Sequence, residues 1–258
     1  MNFRFDGKLV VIAGGTKGIG LATARRFGAL GARVVVGARS PSPDIEDLPF
    51  IEFVACNMAD PKGPDALIDR AKSLAPKIDV LINSVGGAIL RPEPAAVTDE
   101  QWMEMLNRSF LYAVRTCRAA VPYMTDNQGA IINISSVTAQ VAEPTAIDYG
   151  AAKAALDSFS KSLATTLAPR GIRVNVISPG VIATPLWTAP NGLYDQFSQV
   201  LGMPSGDIAK TFAAQIPLAR LGDAEEIAGL VVFMATPDAG YMTGASVRVD
   251  GGWLASVR

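Results

Sequence analysis

Seven short runs of apolar, mostly β-branched residues recur along the chain, and helical stretches separate them. This rhythm limits the possible folds more than any other feature. The runs lie at residues 8–13, 33–38, 50–56, 79–83, 130–135, 173–178 and 246–250. Most are apolar throughout, as expected of strands buried on both faces. Helical patterns fall at 19–30, 64–74, 99–124, 149–168 and 224–235. Strand–helix alternation predicts right-handed crossovers and an α/β fold: a doubly wound, seven-stranded parallel sheet flanked by helices. Of the 258 residues, 49% are hydrophobic and 18% charged, enough apolar material for a large core. No linker or shift of composition marks a second domain, so residues 1–258 are expected to form a single one. The rhythm breaks at 184–220, which is rich in Pro, Gly, Met and aromatic residues. A connection that long is expected to be a substrate lid or binding insertion.

The composition excludes several functions. The net charge of −1 leaves no basic footprint for nucleic acid. The apolar runs are too short to span a bilayer, and the first residues lack the apolar core of a signal peptide. A cytoplasmic protein without a membrane partner is therefore expected. Cys56 and Cys117 are far apart in sequence and read as buried thiols. With no histidine and no cysteine cluster, no metal site is expected. The missing histidine also means that proton transfer near neutral pH must fall to another side chain.

Two segments carry chemistry. The loop AGGTKGIG (13–20) follows the first predicted strand and opens a helix. Gly14, Gly18 and Gly20 allow close backbone approach to a pyrophosphate, and the helix start offers free N–H groups. The spacing is G-x-x-x-G-x-G rather than the commoner G-x-G-x-x-G. In YGAAK (149–153), Tyr149 and Lys153 stand at i and i+4 and share a helix face. Taken alone, this pair is equally an ordinary helix surface. A free tyrosine titrates near pH ~10, so it needs a neighbouring cation to act as a base at neutral pH.

Further motifs follow in order: NSVG (83–86), Ser136 thirteen residues before Tyr149, SPGVIAT (178–184) and VDGG (249–252). With the glycine loop and YGAAK, they make nearly the whole chain resemble the short-chain dehydrogenase/reductase family. Ala13 stands where that family usually has threonine. The resemblance implies a Rossmann fold and hydride transfer between a carbonyl and a secondary alcohol. Tyr149 would donate or accept the proton, Lys153 would lower its pKa and hold ribose, and Ser136 would orient the carbonyl. The cofactor would lie along Gly14, Thr16, Lys17, Gly18, Ile19 and Gly20. Beyond these it would meet Asn57 and Met58 after the third strand, and Asn83 and Gly86 after the fourth. Pro179, Gly180, Ile182 and Thr184 would complete its contacts, with Tyr149 and Lys153.

Arg39 ends the second strand, and Ala38 stands where NAD-using relatives place an aspartate. Arg39 and Lys17 can converge on a 2′-phosphate, so NADP(H) is expected rather than NAD(H). Each is alternatively a solvated loop charge. Ser109 takes the place of the family's active-site helix asparagine, and Asn107, two residues away, should face elsewhere. Leu186, Trp187, Leu193, Tyr194, Phe197, Leu201 and Met203 in the insertion are lid-packing or substrate-contact candidates. Gly87, Ala88 and Glu143 are expected to border the pocket, and Arg108, Arg115 and Arg118 offer a basic patch of the kind an acyl carrier protein needs. The substrate is expected to be a small carbonyl or alcohol, with a 3-oxoacyl thioester as one possibility. The resemblance also implies a homotetramer or homodimer. The alternative function is a non-catalytic NADP-binding sensor on the same fold.

Overall fold

The computed structural model describes residues 3–254. Its strands and helices alternate as β1 (Leu9–Ala13), α1 (Gly18–Ala29), β2 (Arg33–Ala38), α2 (Pro43–Glu46), β3 (Ile51–Ala55), α3 (Gly63–Leu74) and β4 (Val80–Asn83). Then come α4 (Asp99–Leu106), α5 (Tyr112–Ala120), β5 (Ala130–Ile134), α6 (Ile147–Leu167) and β6 (Arg173–Pro179). The insertion contributes β7 (Ile182–Ala183), α7 (Pro185–Thr188), α8 (Leu193–Leu201), α9 (Ser205–Gln215) and β8 (Gly222–Asp223). α10 (Ala224–Ala235) and β9 (Ser246–Val249) close the fold.

Seven strands form one parallel sheet in the order β3-β2-β1-β4-β5-β6-β9, and β7 pairs with β8 apart from it. β1, β4 and β5 are buried along their whole length. Alternate residues face opposite sides of a strand, so the sheet has two cores. Val10, Ile12, Val34 and Val36 pack with Leu21 and Phe27 of α1 and Ile227 and Val231 of α10. Leu9, Val11 and Val35 pack on the other face with Leu67 of α3, Tyr112 of α5 and Leu156 of α6. The seven strands expected from sequence are all present; β2 keeps its expected bounds, β6 runs one residue further, and the others are shorter.

The expected helix over 99–124 is continuous through α4 and α5 but carries a π-type turn inside it. Residues Asn107–Leu111 form a wide, π-type turn between α4 and α5, and a short 3-10 turn follows at Val121–Tyr123. Thr98 and Gln101 form a capping box that starts α4. Asp223 and Glu226 do the same for α10.

Strand order reverses between β1 and β4, on either side of which the chain winds in opposite directions. In such sheets a crevice opens beyond the carboxyl ends of the strands at this switch point. The glycine loop leaves β1 there, and the segment 84–91 leaves β4.

Candidate active site

A cavity of about 490 Å³ lies in that crevice. At one end its wall is the glycine loop: Gly14, Thr16, Lys17, Gly18, Ile19 and Gly20, with Arg39 from the end of β2. The loop is held by Gly14 N–H donating to Gly37 O at 2.8 Å. Gly14 has φ +84°, and a Cβ on it would sit 2.6 Å from Ser84 O. A Cβ on Gly20 would sit 2.0 Å from Gly14 O, so α1 can enter the loop only as glycine there. The first turn of α1 leaves its N–H groups without helical partners, facing this end.

Lys17 and Arg39 are exposed, and neither makes an ion pair among the described residues. No carboxylate lines the glycine-loop end. Two unpaired cations beside a helix start and a glycine turn fit a phosphorylated dinucleotide.

In the middle of the cavity, Ser136, Tyr149 and Lys153 meet on one wall. Ser136 lies two residues past β5. Its Oγ accepts from Thr138 N–H at 3.2 Å and from the Thr138 hydroxyl at 2.9 Å. Tyr149 and Lys153 come from the first two turns of α6. Lys153 is 2% exposed, and its Nζ donates to Ile134 O at 2.9 Å and Val85 O at 3.4 Å. The ammonium therefore ties the end of β5 to the segment after β4. Val85 is itself fixed, its N–H donating to the Tyr112 hydroxyl at 3.1 Å.

Burial pushes the Tyr149 phenol up to about 12. A hydrogen bond with Ser136 and the positive charge of Arg108 pull the other way. Burial also pushes Lys153 down to about 8, opposed by the charge of Asp157. The Lys153 ammonium is 5.7 Å from the ring centre and is directed at two carbonyls. Arg108, expected only as part of a basic patch, is the cation that favours the phenolate. That patch is divided: Arg115 turns inward to Asn107 Oδ1 at 2.7 Å and Ala59 O at 3.3 Å.

The start of α6 is clamped. Asp148 is fully buried, its Oδ1 accepts from Tyr149 N–H at 2.8 Å, and its Oδ2 pairs with Arg91 Nε at 2.8 Å. Arg91 N–H donates to Thr145 O at 2.6 Å, and the neighbouring Leu90 N–H donates to Gln196 Oε1 of α8 at 2.9 Å. Sequence reading missed this clamp, although an Asp before the tyrosine and an Arg after the fourth strand were both visible.

Gly86, Pro179, Gly180, Ile182 and Thr184 line the cavity as expected from their positions in the sequence. Asn57, Met58 and Asn83 do not. Asn57 turns back on its own chain, with Oδ1 accepting from Ala59 N–H at 3.2 Å. Met58 is buried beside Cys56. Asn83 points between strands, donating to Asn133 Oδ1 at 2.8 Å, and Asn133 donates to Ser160 Oγ of α6 at 2.7 Å. Ser84 takes the place on the wall expected of Asn83. Ser135 lines the cavity beside Ser136, with its hydroxyl turned to α6 and donating to Lys153 O at 3.5 Å.

Ser109 is fully buried and its hydroxyl donates to Met105 Sδ at 3.3 Å. A side chain on Gly86 would meet Lys153 Nζ at 3.0 Å and Ser109 Oγ at 3.8 Å. Asn107 faces away, donating to Met103 O at 2.8 Å. The separation of these two residues expected from helix geometry is therefore present, within the π-type turn.

At the other end the wall is built from Ala88, Leu90, Glu143, Leu186, Trp187, Leu193 and Phe197, all but Leu90 named from sequence. Phe212 and Trp253 were missed. Trp253 directly follows the VDGG motif, an aromatic signal that could have been read. Tyr194, Leu201 and Met203 are not on the wall; Tyr194 packs behind Trp187 at 5.5 Å.

Comparison with known proteins agrees with this geometry. Residues 13–254 match a family model described as Enoyl-(Acyl carrier protein) reductase. The chain belongs to the short-chain dehydrogenase/reductase family. The 3-oxoacyl-[acyl-carrier-protein] reductase FabG of Escherichia coli (strain K12) is 32% identical over 257 residues, covering 96% of this chain and 98% of that protein. L-fucose dehydrogenase of Bos taurus is 30% identical over 256 residues, covering 98% and 91%. The crystal structure of L-sorbose reductase from Gluconobacter frateurii, complexed with NADPH and L-sorbose, matches with a TM-score of 0.89 and 32% identity over 100% of both chains. As a member of this family the chain is an NAD(P)-dependent oxidoreductase. No helix among the described residues is long and apolar enough to cross a membrane.

Proposed function

We propose that the protein is an NADP(H)-dependent enzyme interconverting a carbonyl and a secondary alcohol, with Ser136, Tyr149 and Lys153 as its catalytic residues. One observation carries this reading: these three side chains line one cavity together with the unpaired cations Lys17 and Arg39. A nicotinamide cofactor bound along that wall supplies the hydride. Tyr149 donates its phenolic proton to the carbonyl oxygen, and a phenol held near 12 remains protonated through the neutral range. Ser136 donates to the same oxygen, its Oγ oriented by the two bonds it accepts from Thr138. Lys153 and Arg108 favour the phenolate left behind, and Lys153 holds ribose hydroxyls. Arg39 and Lys17 take the 2′-phosphate, with Ala38 placing no competing carboxylate beside it. Asn57 and Met58 are not needed for this reading.

The insertion over 184–220 acts as the lid of a single-domain enzyme, and the assembly is a homotetramer or homodimer. Light scattering of the purified protein tests the assembly. The decisive assay follows NADPH oxidation across a panel of carbonyl compounds, with NADH run in parallel. Turnover with NADPH supports the reading; tight NADPH binding without turnover of any carbonyl contradicts it.

A further inference from the structure

Among the described residues one carboxylate, Glu143, lines the cavity, while the Arg108 guanidinium stands behind Gly87 and Leu186. Glu143 precedes a short turn, Pro144–Ala146. Its Oε1 accepts from Thr145 N–H at 3.1 Å and from the Thr145 hydroxyl at 2.6 Å. These two bonds fix the carboxylate on the wall. Its Oε2 accepts no hydrogen bond, and Glu143 makes no ion pair, among the described residues. The cations that line the cavity, Lys17, Arg39 and Lys153, belong to the glycine loop, the end of β2 and the Tyr149 helix.

The rest of this end is aromatic. Trp187, Phe197, Phe212 and Trp253 come from α7, α8, α9 and the segment after β9. Phe212 meets Trp187 at 5.2 Å, Phe197 at 5.0 Å and Trp253 at 6.0 Å, each edge to face. Rings locked to one another across four elements form a stiff apolar wall. Glu143 is half-buried and lines the same cavity as these rings, with its Oε2 left available to a ligand hydroxyl.

We propose that Glu143 is the specificity-determining residue of this site, and that the substrate is a neutral carbonyl compound bearing hydroxyl groups, such as a keto sugar or a hydroxylated ring ketone. A substrate hydroxyl donates to Glu143 Oε2, and the C–H face of the same molecule packs on the aromatic wall. Carboxylate- or phosphate-bearing carbonyl compounds are repelled by the same oxygen. This inference rests on the carbonyl-reductase reading above.

The test compares the wild type with Glu143→Gln. The amide keeps an oxygen for Thr145, so the turn is retained, and puts a donor where the free acceptor was. The probes are a keto sugar, the matching ring ketone without hydroxyls, an amino ketone, a keto acid and a 3-oxoacyl thioester, all with NADPH. The wild type is expected to favour the hydroxylated compound. The variant should lose about 10- to 100-fold in kcat/KM on it. Its loss on the plain ketone should be within about threefold, and NADPH affinity and Tm should not change. Equal loss on both ketones, or none on either, overturns the assignment. So does a wild type that prefers the thioester, the keto acid or the amino ketone, while each of these leaves the reductase reading standing. A wild type that binds NADPH but reduces nothing in the panel sinks both.

Discussion

The Lys153 ammonium stands 5.7 Å from the centre of the Tyr149 ring, and burial disfavours the charge on both groups. The phenol is raised to about 12 and the ammonium lowered to about 8. Under the proposed function, a phenol kept protonated beside the Lys153 amine suits carbonyl reduction. It leaves alcohol oxidation dependent on the cations around the pair.

Replacing Tyr149 by Phe removes the proposed proton donor and little volume. Carbonyl reduction should fall by about 10²- to 10⁴-fold in kcat, the usual worth of general acid catalysis. NADPH affinity, read by fluorescence titration, should stay within about threefold. A variant reducing carbonyls at the native rate would show that another group supplies the proton.

Lys153 makes stability depend on pH with a definite sign. Its folded value is about 8 and its ordinary value 10.5, so between these the unfolded chain binds more protons. Stability from this group therefore rises with pH across that window, and its burial penalty is felt in full below pH 8. Tyr149 acts oppositely but only above pH 10, where the unfolded phenol ionises first. Urea unfolding of the cofactor-free protein at pH 7.5 and 9.5, each compared with Lys153→Met, should show the wild type gaining about 2 kcal/mol more than the variant. A flat difference would mean that Lys153 keeps an ordinary pKa.

Under the proposed function, Arg39 and Lys17 set the choice of cofactor. Arg39→Ala should weaken NADPH by about 10- to 100-fold and NADH by less than about threefold, since only the former carries the 2′-phosphate. Lys17→Ala should act in the same direction. Equal losses for both cofactors in calorimetric titration would place Arg39 away from that phosphate.

The buried pair Arg91–Asp148 should behave as a unit. Their side chains are 12% and 0% exposed, and Asp148 also holds the Tyr149 N–H. Arg91→Met leaves a buried carboxylate uncompensated and should cost about 3–5 kcal/mol of stability. Arg91→Met combined with Asp148→Asn should recover most of that loss in denaturant unfolding. Independent, additive losses would rule out direct coupling between the two.

Much of this was legible beforehand because it depends on local pattern. Continuous apolar strands such as Val80–Asn83 can only be buried on both faces, and that fixed a parallel sheet. The spacing of Ser136, Tyr149 and Lys153 placed all three on one wall. What was misread depends on how separate segments turn against each other. Asn57, Met58 and Asn83 lie at the right positions in sequence, yet a tight turn at 57–60 and an Asn–Asn–Ser network between strands take them from the wall.

The sequence by itself determined the element order, the glycine turn and the candidate acid–base residues, because strand burial, positive φ and helical i,i+4 spacing are properties of short segments. Tertiary structure alone decided that the Arg108 charge acts on Tyr149 and that the Arg91–Asp148 pair holds its backbone. Arg108, Asp148 and Arg91 come from the π-type turn, the start of α6 and the loop after β4, and no local rule brings them together. It also decided what Glu143 faces, since the aromatic wall is assembled from four elements spread over residues 187–253. Electrostatics and cavity shape are sums over neighbours in space, and only the folded chain defines those neighbours.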